Sequence, residues 1–79
     1  MKDVVSEAYD TKEKCFREIL VSRRIMGDKN LFTLEVAEAM LKGLGLMYLH
    51  CPDEIKETVH AFMNEVMIRK TFIETGIIV

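Results

Sequence analysis

The stretch KGLGLMYLHCP, residues 42–52, decides how the rest of the chain is read, because two glycines and a run of apolar side chains fit several different structures. A phosphate-cradling loop needs glycines where a strand turns into a helix. No strand-like run precedes Gly43, and neither a third glycine nor a Lys-Ser/Thr pair follows Gly45. A membrane span needs about 20 nearly uncharged residues, whereas residues 31–51 contain Glu35, Glu38 and Lys42, each costly in hydrocarbon. A DNA-reading helix-turn-helix is disfavoured because its recognition helix would read LMYLHC, which offers a groove almost no hydrogen-bonding side chains. Its packing would also need an apolar residue where Lys42 stands. What remains is a helix that is apolar nearly all round, through Leu44, Leu46, Met47, Tyr48, Leu49 and Cys51, and such a helix is buried on more than one side.

Working outward, the punctuation falls at Gly27, Pro52 and Gly76, which predicts an all-α chain of three helices, about 3–26, 33–50 and 53–75, in a single domain. In the first, Val5, Ala8, Cys15, Ile19 and Met26 keep a three-and-four spacing, widened by Val4, Phe16 and Leu20 and interrupted by Lys12. Asp10 and Glu13 resemble a capping box, but one continuous helix is the favoured reading. Arg23 and Arg24 before Gly27 suit a helix C-terminus, where glycine can take positive φ. Thr33 is the expected cap of the second helix, with Glu35 in its first turn. Pro52 suits the first position of the third, with Asp53 and Glu54 at the positive end of the dipole. There Ile55, Val59, Phe62, Met63, Val66, Met67 and Ile73 hold one face. Gly76 fits a left-handed terminus, with Ile77 packing back on Phe72 and the final IIV tucked against apolar surface.

A chain of 79 residues buries a limited share of its surface and often needs a staple or a partner. Cys15 and Cys51 are too few for a disulfide framework and read as reduced, buried thiols. Two helices can cover two sides of the second one; its remaining apolar surface calls for another polypeptide. The expectation is a three-helix antiparallel bundle with the second helix central, completed by homodimerisation. Its self-interface is expected at Leu44, Met47, Tyr48 and Leu49, with Phe62, Val66 and Met67 behind them. Replacing Met47 by aspartate is expected to weaken association. Gly43 and Gly45, each costing about 1 kcal/mol against alanine in a helix, would permit close helix approach or mark a kink.

Function classes narrow accordingly. A net charge of −2 creates no field that announces nucleic acid or an anionic membrane. The first ten residues lack the apolar core of a signal peptide, so the expected location is cytoplasmic. Glu57 and His60 stand three apart, the ligand spacing of ferritin-like di-iron bundles, yet they lie opposite the Val59, Phe62 and Val66 face and read as solvated. His50 and Cys51 lack zinc spacing, and adjacent helical residues do not face each other for nucleophilic catalysis. No enzyme, metal or cofactor is expected. The methionines Met40, Met47, Met63 and Met67 read as core or interface, or as a groove for another protein's helix.

The reading is a small regulatory or adaptor protein that pairs with itself and docks helix faces on another protein. The alternative is a nucleic-acid-associated regulator using Lys14, Arg17, Arg23 and Arg24. Against it, much of that charge can pair within its helix, as Asp10 with Lys14, Glu13 with Arg17 and Lys14 with Glu18.

Overall fold

The structure is a computed structural model that describes residues 7–76. Its order is α1 (Lys12–Met26), α2 (Leu34–His50), a 3-10 turn (Asp53–Ile55) and α3 (Lys56–Thr75). No strand occurs among the described residues, and the three helices pack against one another.

Each helix begins where a hydroxyl or a turn satisfies free amides. Thr11 is extended at φ −126° and ψ 152°, and its Oγ1 accepts a bond of 3.3 Å from the Lys14 amide. This corrects the expected continuous helix. The segment Tyr9–Thr11 is a turn, because Thr11 takes the cap while the Asp10 carboxylate binds Lys14 Nζ at 2.9 Å. Whatever was expected of residues 1–6 lies outside the described residues.

At its other end α1 stops without a left-handed residue: Gly27 sits at φ −80°. Asp28 redirects the chain instead. Its amide donates to the Ile25 carbonyl at 3.1 Å and its carbonyl accepts from Phe32 at 2.9 Å, while its Oδ1 accepts from the Asn30 amide at 2.9 Å. Such an Asx turn substitutes for glycine's freedom.

Thr33 caps α2 as expected, accepting from the Val36 amide at 3.2 Å. The helix then runs unbroken through both glycines. A Cβ built on Gly43 or Gly45 would meet nothing within 4 Å, so no close approach inside the chain accounts for either. Pro52 is extended at ψ 144° and precedes the 3-10 turn instead of opening the helix itself. Gly76 ends α3 at φ +78°, the left-handed stop the sequence predicts; Ile77 and the terminal IIV fall outside the described residues.

The core is one cluster: Cys15, Ile19 and Met26 from α1, Leu44, Met47 and Cys51 from α2 and its end, and Ile55, Val59, Phe62 and Val66 around α3. Full burial of an aliphatic or aromatic side chain contributes about 1.5–3 kcal/mol, so these residues hold the helices together. α2 and α3 form an antiparallel hairpin. Lys56 Nζ, at the start of α3, donates to the Tyr48 carbonyl near the end of α2, and the Tyr48 ring lies 6.1 Å from that of His60.

α1 runs alongside α3, Lys12 Nζ reaching 4.0 Å from Glu54 at one end and Arg23 lying over Phe62 further on. The expected central place of α2 is therefore corrected: α3 is the helix that both others pack on most closely. Between α1 and α2 lies a groove of about 270 Å³, lined by Val21, Ser22 and Ile25 on one side and by Val36, Ala39 and Gly43 on the other.

The result is elongated, 44 × 21 × 17 Å with a radius of gyration of 13.1 Å. A compact chain of this length would have about 11.5 Å. A rod exposes more of its apolar surface than a sphere does, and this shape sets up the surface described next.

Candidate interaction surface

The two broad sides of the α2–α3 hairpin differ. One side carries α1: on α2 it is marked by Val36, Ala39, Met40 and Gly43, which line the groove, and on α3 by Phe62 beneath Arg23. Going round α2 away from that groove, Leu41, Gly45, Tyr48 and Leu49 recur at i, i+4, i+7 and i+8, one continuous helix face. On α3 the edge bearing His60 adjoins Tyr48, and Met63 and Met67 follow it at i+3 and i+7. These residues make the open side of the hairpin.

Exposure separates members of this side from the core sharply. Leu49 is 69% exposed and Met67 53%, whereas Leu44, Met47, Phe62 and Val66 are at 2% or less. The seven residues expected at a self-interface thus divide. Leu44, Met47, Phe62 and Val66 are enclosed by the chain's own helices, while Tyr48, Leu49 and Met67 remain on the open side. Tyr48 is half-buried, its ring flanked by Lys56 Nζ at 4.8 Å from the centroid and by His60. Leu41, Gly45 and Met63 complete the side; of these, Met63 reads from sequence as core or interface and Gly45 as a place of close helix approach, while Leu41 is not singled out. Their spacing would have grouped them with Tyr48 and Met67, but nothing in a helix apolar all round says which side faces out.

The basic residues do not act as one group. Lys14 Nζ is held by Asp10 and by the Glu7 carbonyl, both at 2.9 Å. Arg23 lies with its guanidinium carbon 5.2 Å from the Phe62 ring centroid, a cation–π contact. Arg17 and Arg24 are exposed and make no ion pair among the described residues. The remaining exposed apolar residues of α1, Phe16, Leu20 and Val21, share its surface with these charges.

Titratable groups offer little chemistry. Cys15 and Cys51 are both buried and free, and their thiols donate to the carbonyls of Tyr9 at 3.4 Å and Tyr48 at 3.6 Å. Burial pushes the Cys15 thiol above its ordinary value, with the negative charges of Cys51 and Asp10 adding to the effect. A thiol so placed is a poor nucleophile at neutral pH. Among the described residues no three His, Cys, Asp or Glu side chains gather as a metal site requires; Glu57 and His60 are both exposed. No helix among those residues is long and apolar enough to cross a membrane. The chain matches no family model, no curated protein and no solved structure.

Proposed function

We propose that this chain is a small non-enzymatic interaction protein that works by docking helix faces and whose first partner is a second copy of itself. The observation that supports this reading is exposed apolar surface outside the core: Leu49 is 69% exposed, Ile68 56% and Met67 53%, while Leu44, Met47, Phe62 and Val66 are already enclosed. A regulatory or adaptor role fits that architecture, since the molecule offers helix faces for docking.

The test is the solution mass by light scattering across a wide concentration range. A mass of twice 9.1 kDa at micromolar concentration is the expected result, and a monomer at every concentration overturns self-pairing.

A second reading, phosphate contact along the outer surface of α1, draws on Arg17 and Arg24 being exposed and without an ion pair among the described residues. Duplex titrated at two salt concentrations tests it, because binding through phosphates must weaken steeply with salt.

A further inference from the structure

We infer that Cys15 and Cys51 face each other in the end layer of the core, as a dithiol that a low-molecular-weight disulfide, such as glutathione disulfide, closes to an intramolecular bond tying α1 to the end of α2.

The placement follows from register. The buried positions of α1 are Cys15, Ile19, Ser22 and Met26, and those of α3 with its leading turn are Ile55, Val59, Phe62 and Val66. Both sets step by four, three and four. Lys12 Nζ at 4.0 Å from Glu54 and Arg23 over Phe62 set these two helices side by side and in the same direction, so Cys15 stands level with Ile55. α2 runs the other way. Read back from its end, its buried residues are Cys51, Met47 and Leu44, and Lys56 Nζ on the Tyr48 carbonyl fixes their level against α3. Cys15, Cys51 and Ile55 therefore make one layer from three elements, and two of its side chains are thiols.

The electrostatics of Cys15 agree with that layer. Burial is the first cause that holds its proton, and the charge of Cys51 is the second, an influence that falls with distance. Both thiols are free. Each donates only to a carbonyl close in its own sequence, Tyr9 at 3.4 Å and Tyr48 at 3.6 Å, and a thiol is a weak donor. Forming a sulfur–sulfur bond thus gives up little.

The chemistry has an order. Cys51 caps α2 just outside the helix, extended at φ −74° and ψ 159°, and is 6% exposed where Cys15 is fully enclosed, so an incoming disulfide reaches Cys51 first. Its thiolate attacks one sulfur of glutathione disulfide, the bond between the two glutathione sulfurs breaks, and one glutathione leaves and takes up a proton. Cys15, the poorer nucleophile but held in the same layer, then loses its proton, attacks the Cys51 sulfur and expels the second glutathione. The two protein thiols lose two protons and two electrons, and one glutathione disulfide is reduced to two thiols. The bond formed joins two helices that are separated further along by the groove, and it restricts the unfolded chain more than the folded one.

The experiment equilibrates the purified chain in buffers of graded glutathione to glutathione disulfide ratio, quenches with an alkylating agent and reads the intact mass. The expected result is loss of both thiols together, with the mass of one chain lowered by two hydrogens, at every protein concentration. Urea unfolding of the oxidised chain should show an unfolding equilibrium constant lowered at least about tenfold. Cys15→Ser and Cys51→Ser should each form no internal bond and show no such gain. Two free thiols in the most oxidising buffer overturn the pairing, as does a glutathione adduct that accumulates without closing or a bond found only between chains. So does an internal bond that lowers the urea midpoint, because a link that strains the fold joins thiols that do not face each other in it.

Discussion

The Arg23 guanidinium lies across the Phe62 ring, 5.2 Å from its centroid, joining the last turn of α1 to the middle of α3. Its neighbour Arg24 projects about 100° further round the helix and is exposed. Two adjacent arginines therefore do different things. Arg23→Ala is expected to lower unfolding free energy by about 1 kcal/mol, through loss of the cation–π contact and the cover its stem gives the ring. Arg24→Ala should change it by less than about 0.5 kcal/mol. Urea denaturation of both variants checks the difference, and equal effects would refute it.

Met47 and Leu49, two residues apart in one apolar run, should respond to truncation by very different amounts. Met47 is fully buried against α3, so Met47→Ala is expected to cost about 2–5 kcal/mol. Leu49→Ala, at 69% exposure, should leave the isolated chain nearly unchanged. It follows that Met47→Asp, read from sequence as an interface probe, instead puts an unpaired charge into the core and unfolds the protein. Thermal unfolding at low concentration distinguishes the two positions.

These two pairs mark what the sequence carried and what it did not. Two helix ends were legible because they depend on local chemistry: the Thr33 hydroxyl and the Gly76 backbone act within three or four residues. The orientation of α2 was not, because a helix apolar all round has no polar side to place outward, and only the positions of α1 and α3 decide that Leu44 points in and Leu49 out. Charge pairing was legible in part. Asp10 and Lys14 meet at 2.9 Å, as do Lys70 and Glu74, an unanticipated pair. Glu13 with Arg17 forms no bridge among the described residues, as befits exposed pairs worth about 0–1 kcal/mol. The Thr11 cap was hidden by Asp10 beside it, an equally good capping residue by type.

The threonine caps give a local test of those helix starts. Thr33→Ala and Thr11→Ala each remove a hydroxyl acceptor from an otherwise free amide, and each is expected to cost about 1 kcal/mol. Ser at either position should restore most of it. Amide hydrogen exchange is the discriminating measurement: protection should fall first at Val36 in one variant and at Lys14 in the other.

Alkaline pH should weaken the fold through Cys15. Burial holds its proton more tightly in the folded chain than in the unfolded one, where a thiol ionises near about 8.5. The stabilising contribution is thus complete below that value and is lost as pH rises through the folded, higher value, with a slope of at most about 1.4 kcal/mol per pH unit for one group. Tyr9, raised chiefly by burial and also by Glu18 and Cys15, adds a similar loss at higher pH. Urea midpoints should fall as pH rises above about 8.5, less steeply in Cys15→Ala; the same slope in both would assign the effect elsewhere.

The glycines of α2 separate folding from pairing. An added Cβ at Gly43 or Gly45 has open space in the chain, so Gly→Ala at either should stabilise the monomer by up to about 1 kcal/mol by relieving glycine's entropic cost in a helix. Gly43 lines the α1–α2 groove, whereas Gly45 lies on the open hairpin side, so the two report on different surfaces. Thermal unfolding at two protein concentrations reads both terms from one experiment. A gain of equal size at both concentrations is expected wherever no partner helix comes close, and a gain that shrinks as concentration rises would mark the surface where one does. A loss at low concentration from either substitution would refute the argument from helix propensity.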